Sequence, residues 1–279
     1  MKAVARTISR VLPVSLLFSI LIAASAWAST LPDTVTYPQG DARAIMQYIR
    51  DENRTTEPEL EAAGAILTDL TTGRVLAEKN ADTRLFPAST TKIMTALLAL
   101  EYGDLSEVVT VGNEANLCAY DSSKCWLDLD EQIRMADLIR GLLIHSGGDA
   151  AYTIATHIGR KIAGDMSLDF NDAITIFVER MNSRAAELNA DSTHFMDPDG
   201  YHNPDHYSTA RNMALITEEA MKHDFFREVV STPRYEMEDW NQYEEDDPTK
   251  KVIRIWVNTN DLIKPENVYY YEPPIGIKT

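Results

Sequence analysis

FPASTTKIMTALL, residues 86–98, sets three hydroxyl side chains, Ser89, Thr90 and Thr91, between a proline and an almost wholly apolar run. One lysine, Lys92, stands at the edge of that run. Proline suits a first helical turn, because its missing N–H has no partner to find there. The stretch therefore predicts a helix starting near Pro87 that buries Ile93, Met94, Leu97 and Leu98. Ser89 would sit near the helix N-terminus, where free N–H groups and the positive end of the dipole favour developing negative charge. Lys92 follows three residues later and shares its face. Burial penalises the charged ammonium and lowers its pKa, so the amine can take a proton from a serine hydroxyl. Serine is a poor nucleophile without such a base. Against this, Ser-x-x-Lys fixes only two positions. Ordinary composition gives roughly one chance match in a chain of this size, and most such lysines extend to solvent.

The flanking pattern places this helix between strands and more helices. AGAILTDL (63–70) and RVLAEKN (74–80) read as strands joined through Thr71-Thr72-Gly73, a hairpin. VVTVG (108–112) is a short strand. IRMADLIRGLLIHS (133–146), AAYTIATHIGRKIAG (150–164), DFNDAITIFVERMNSRAAELN (169–189) and TARNMALITEEAMKH (209–223) have helical spacing, the last capped by Ser208 or Thr209. KVIRIWVNTN (251–260) is a strand, and PIGIKT (274–279) begins another. Strands at both ends with helices between predict an α+β order: an antiparallel sheet joined from the two chain ends, with a helical region inserted. The last strand is entered and not completed, so the chain reads as truncated at Thr279.

The 279 residues are 44% hydrophobic and 25% charged, which is ordinary globular composition. Lys2, Arg6 and Arg10 precede the apolar run VLPVSLLFSILIAA (11–24) and the small-residue pattern Ala26-Trp27-Ala28. That is the form of a secretory signal peptide over residues 1–28; a membrane anchor is the alternative, but the run is short for a span of roughly 20 residues. Residues 29–57 then form an extension with a short helix over 41–53, and residues 58–279 form the main domain. Export makes a disulfide between Cys118 and Cys125 an expectation, with two free thiols the alternative. The net charge of −17 disfavours nucleic acid. EMEDWNQYEEDD (236–247) holds seven acidic residues and no basic ones; it reads as a solvated loop, with calcium binding the lesser alternative. His194, His202 and His206 could suggest zinc, but Pro204 breaks any helix there, so they read as loop hydrogen-bonding residues. Trp240 and Trp256 read as packing residues.

Two further motifs follow Ser89 and Lys92. LLIHSGGDAA (142–151) puts Ser146 in a glycine-rich turn between two helices, and GIKT (276–279) puts Lys278 and Thr279 on a strand. Ser-x-x-Lys, Ser-Asp-Asn and Lys-Thr-Gly together mark penicillin-binding proteins and some β-lactamases. Here the chain resembles the D-alanyl-D-alanine carboxypeptidases, the low-molecular-mass penicillin-binding proteins. AILTDLTTGRVLAEKNADTRLFPASTTKIMTALLALE (65–101), FVERMNSRAAELNADSTHFMDPDGYHNPDHYSTA (177–210) and WVNTNDLI (256–263) carry the likeness beyond the motifs, over about Pro58 to Thr279.

The resemblance implies the α+β fold of serine β-lactamases and DD-peptidases. It implies that Ser89 attacks the carbonyl between the terminal D-alanines of a peptidoglycan stem peptide, with Lys92 as general base. Ser146 would relay a proton to the leaving amine, and Lys278 and Thr279 would hold the terminal carboxylate. It implies no metal or organic cofactor, a location in the cell envelope, β-lactams as covalent ligands, and a membrane association through a C-terminal region beyond Thr279. Two departures stand out. Gly148 replaces the asparagine of the second motif, whose amide would position substrate and Lys92; Asp149 could compensate, but reads as a helix-start residue. The chain also stops before the glycine of Lys-Thr-Gly, where the family's second oxyanion-hole donor follows; loss of one such donor costs roughly 100- to 1000-fold in rate. The competing expectations are a non-catalytic peptidoglycan-binding or β-lactam-sensing relative and a β-lactamase, which would need a glutamate-bearing loop to activate water.

Overall fold

The computed structural model describes residues 60–237, 243–244, 247–251, 253–270 and 276–278. The signal segment, the helix expected over 41–53, Trp240 and Thr279 lie outside the described residues.

The hairpin over 63–80 is present. β1 (Ala65–Asp69) and β2 (Arg74–Lys79) pair antiparallel, with a bulge between Leu67 and Thr68. Asp69 clamps the turn, accepting the Thr71 N–H at 2.8 Å and the Thr72 hydroxyl at 2.7 Å. Ile66 faces inward onto Ala81 and Ala210 in a small cluster of its own.

A 3₁₀ turn over Ala88–Thr91 leads directly into α1 (Lys92–Tyr102). Every residue from Lys92 to Ala99 is buried, so this is a helix apolar on all sides, as a central core helix must be. It packs against α2 (Met135–Ile144), α3 (Gly148–Ala163) and α5 (Ala210–Ala220), while α3 lies along α4 (Phe170–Glu187). The caps follow the sequence: Asp169 accepts the Asn171 N–H, Thr209 accepts the Asn212 N–H, and Gly164 ends α3 in the left-handed region.

Several elements differ from the expectation. The helix expected from Ile133 begins at Met135, because Gln132–Arg134 is β4, paired with β3 (Val108–Thr110), and Ile133 finds its core position opposite Val109. A short helix, α6 (Asp224–Val230), was not anticipated; it buries Phe226, Val229 and Val230. The acidic run is not one loop: Glu236 and Met237 end β5 (Arg234–Met237), and β6 (Tyr243–Glu244) pairs with β7 (Asp247–Lys251).

The strand expected over 251–260 is accordingly split, and its second part, β8 (Arg254–Val257), pairs with β5. Tyr235 and Trp256 face each other in that ladder with ring centroids 6.0 Å apart, and Trp256 is a packing residue. The α+β order holds, but the ladders of the two chain ends are not paired with each other among the described residues. Residues 276–278 carry no strand pairing; Ile277 instead packs against the main core.

Candidate active site

The Ser89 turn is shaped by its backbone. Ala88 has φ of 48°, in the left-handed region. That conformation costs a non-glycine residue roughly 1–2 kcal/mol and recurs where function holds a chain in place. It is held by the loop of residues 197–201, which lies against it. Gly200 has φ of +84°, and a Cβ there would overlap the Ala88 carbonyl oxygen and come within 2.9 Å of Thr91 Oγ1. Only glycine lets the two backbones approach this closely.

Lys92 turns back from α1 toward Ser89. Its Nζ lies 3.2 Å from Ser89 Oγ and donates to the Asp199 carbonyl oxygen at 2.6 Å. Ser89 is half-buried and Lys92 is 2% exposed. Burial holds the lysine pKa below its ordinary value, against the opposing pull of the Asp199 carboxylate. The expected proximity of hydroxyl and amine is present, and so is the physical condition for an uncharged amine.

The loop that receives Lys92 is itself anchored. Thr91 Oγ1 is 2.9 Å from His206 Nε2, and His206 Nδ1 is 3.3 Å from Asp197 Oδ2. Thr95 donates to the Pro198 carbonyl at 2.6 Å, and Asp197 Oδ1 accepts the Gly200 N–H at 2.6 Å. Burial pushes the Asp197 pKa up, but the hydrogen bonds from His206 and Gly200 outweigh it and hold the carboxyl below the usual range. His206 thus fastens the loop to the Ser89 turn, and His194 bonds the Asp205 carbonyl within the loop at 2.7 Å.

Ser146 follows the end of α2, 4% exposed, with φ of 65°. It is the second non-glycine residue of the site, after Ala88, held in the left-handed region. The turn after it is packed by sulfur. A Cβ at Gly147 would overlap Cys125 Sγ, and one at Gly148 would lie 2.5 Å from Cys118 Sγ and 2.8 Å from Asp199 Oδ2. The disulfide expectation is corrected: both cysteines are free and buried. Cys125 is seated against Gly141 and Gly147, and Cys118 against Gly148, so each sulfur fills a space a glycine leaves. Burial raises both thiol pKa values, that of Cys118 to about 11, so neither is a ready nucleophile.

Asp149 is tied to the cysteine loop, accepting the Cys125 N–H at 2.8 Å and the Leu127 N–H at 3.1 Å. It therefore ties the cysteine loop to the start of α3 instead of supplying the missing amide. Asp199 joins the two halves of the site: its carbonyl receives Lys92, and its carboxylate abuts Gly148. Sequence reading passed over Asp199, because only the folded loop brings it to the second motif.

Lys278 is 6% exposed. Burial, reinforced by the nearby Lys92 charge, lowers its pKa to about 7. It shares the electrostatic environment of Lys92.

Comparison with known proteins gives a consistent picture. Residues 51–272 match the model of the family described as D-alanyl-D-alanine carboxypeptidase. The chain is similar to the D-alanyl-D-alanine carboxypeptidase DacF of Bacillus subtilis, 32% identical over 82% of this chain and 53% of that protein. It is 32% identical to the D-alanyl-D-alanine carboxypeptidase of Streptomyces sp. strain K15, over 80% of this chain and 73% of that one. Over 57% of this chain and 39% of the relative, it is 38% identical to DacA of Escherichia coli K12. The chain thus spans about half the length of the Bacillus relative. The crystal structure of the Streptomyces K15 DD-transpeptidase superposes with a TM-score of 0.65 at 32% identity, covering 76% of this chain and 78% of that one.

Proposed function

The chain belongs to the D-alanyl-D-alanine carboxypeptidase family, and from that we propose that it is a serine-type carboxypeptidase acting on peptidoglycan stem peptides that end in D-Ala-D-Ala. The observation that carries this reading is the buried Lys92 amine 3.2 Å from Ser89 Oγ, with its pKa lowered by burial.

In the proposed reaction the uncharged Lys92 amine accepts the Ser89 proton as Oγ attacks the carbonyl between the two D-alanines. The Ser89 backbone N–H receives the negative charge that develops on the carbonyl oxygen. Ser146 passes a proton to the departing amine, D-alanine leaves, and water then cleaves the serine ester. Lys278 holds the terminal carboxylate. Its pKa of about 7 in the free protein rises once that anion arrives, so the cation forms where it is used. Charge-assisted hydrogen bonds of this kind are roughly twice as strong as neutral ones. Thr279 has the matching place in the motif. β-Lactams, which imitate the D-Ala-D-Ala unit, would trap Ser89 as a stable ester. The signal-like residues 1–28 support export to the cell envelope, where this substrate lies.

A second reading rests on Gly148. Without the amide of the second motif, the chain could bind stem peptide or β-lactam without turnover. Incubation of the full-length protein with a fluorescent penicillin and with a D-Ala-D-Ala stem peptide separates the two. The carboxypeptidase forms a covalent adduct that Ser89→Ala abolishes, and it releases D-alanine. Adduct without release identifies the sensor, and the absence of both adduct and release overturns the proposal.

A further inference from the structure

The space that an asparagine at position 148 would fill is already occupied. A Cβ on Gly148 meets Asp199 Oδ2 at 2.8 Å and Cys118 Sγ at 2.5 Å. One of these atoms is a polar oxygen, and it comes from the 197–201 loop. Asp199 is 2% exposed, and it cannot move freely. Its N–H is bonded to Asp197 Oδ1 at 3.1 Å, its Oδ1 accepts the Tyr201 N–H at 3.2 Å, and its carbonyl holds Lys92 Nζ at 2.6 Å. The Cys118 side is equally fixed, because Asp149 ties the cysteine loop to the start of α3.

We infer that Asp199 is the positioning residue of this site, its carboxyl group taking over from the 197–201 loop the role that the third residue of the second motif would play from α3. This inference rests on the reading of Ser89 as nucleophile and Lys92 as base. Glycine at 148 is then a relocation of the polar group and not its loss. The main chain of Asp199 orients the Lys92 amine, and its carboxylate acts on the charge of that amine.

The electrostatic surroundings agree with this role. The groups that face the Asp199 carboxyl are Lys92 on α1, Cys118 on the cysteine loop, Tyr152 on α3, and Asp197 and Tyr201 on its own loop; Asp197 in turn is paired with His206. Burial raises the Asp199 pKa to about 6, with Lys92 pulling it down and Asp197 pushing it up. It is therefore mostly ionised at neutral pH, and its charge favours the protonated form of Lys92. Removing that charge makes Lys92 easier to deprotonate.

The test measures the rate of acylation by a fluorescent penicillin across pH, in the full-length protein. Asp199→Asn keeps the shape and a polar atom. It should retain most of the plateau rate while its acid limb moves toward lower pH. Asp199→Ala should move the limb the same way and slow the plateau about tenfold or more. Gly148→Asn alone should be at least about tenfold slow, because its side chain meets the sulfur and the carboxylate. Adding Asp199→Ala and Cys118→Ala to Gly148→Asn clears that space and should recover much of the loss.

An acid limb unmoved in Asp199→Asn overturns the inference. So does a folded triple variant no faster than Gly148→Asn. A wild-type protein that acylates normally with these results refutes the inference alone. A wild-type protein that does not acylate at all refutes the carboxypeptidase reading, and this inference with it.

Discussion

Replacing Gly200 by alanine tests whether the 197–201 loop must lie directly on the nucleophile's turn. Two costs apply. The φ of +84° disfavours any side chain, at roughly 1–2 kcal/mol. The added Cβ also overlaps the Ala88 carbonyl oxygen and crowds Thr91 Oγ1 at 2.9 Å. Backbone cannot swing aside as a flexible side chain can, so the loop or the turn must shift, adding about 1–3 kcal/mol. Gly73 supplies the control. Its φ is +69°, but nothing lies within 4 Å of the position its Cβ would take, so Gly73→Ala meets the conformational cost alone. Thermal unfolding of the two variants should differ, with Gly200→Ala melting lower than Gly73→Ala by roughly 3–10 °C. Penicillin acylation should separate them further. The displaced loop takes the Asp199 carbonyl away from Lys92, so Gly200→Ala is slow and Gly73→Ala is unaffected. Equal melting temperatures with equal acylation rates would refute the close packing of loop and turn as a determinant of the site.

Asp199→Asn should also report on stability. A carboxyl whose pKa is about 6 when folded and near 3.8 when unfolded stabilises the fold fully below pH 3.8, and that contribution is lost as pH rises through 6. The variant should therefore be more stable than wild type at pH 7.5 by about 1–3 kcal/mol, seen as a higher unfolding temperature, and the gap should close toward pH 4; a constant gap contradicts this. Binding of a peptide with a free terminal carboxylate to Ser89→Ala should take up protons at pH 8, as Lys278 gains its charge. Calorimetry in buffers of different ionisation enthalpy reads this, and identical heats would exclude Lys278 from the contact. Arg254 reaches Glu131 at 2.6 Å and the Trp126 carbonyl at 2.8 Å, with both charged side chains nearly buried. Arg254→Ala leaves that carboxylate uncompensated and should cost about 3–5 kcal/mol in denaturant unfolding; a loss below 1 kcal/mol would show that the pair is dispensable.

Much of this architecture can be read before folding. The spacing of Ser89 and Lys92 announces their contact, since three residues along a helical turn put both on one face. The caps Asp169 and Thr209 and the hairpin at Gly73 are local chemistry, and local chemistry is written in consecutive residues. What escapes is set by distant parts of the chain. Ile133 has helical spacing, yet Val109 captures it in a ladder from more than twenty positions away. Cys118 and Cys125 look like partners because they are close in sequence, but Gly141, Gly147 and Gly148 offer each sulfur its own space. Asp199 has no motif to announce it. Its place beside Gly148 depends on Gly200, His206 and Thr95 pinning one loop against another element, and no spacing rule encodes that.

The pH dependence of Ser89 acylation by penicillin probes the Ser89–Lys92 pair most directly, because the rate should follow the fraction of Lys92 that is uncharged. A rate that climbs and levels off well below the ordinary lysine range, with the adduct mapped to Ser89, is the expected result. An adduct on another residue, or a rate still climbing in the ordinary lysine range near pH 10.5, would contradict a buried neutral amine as the base.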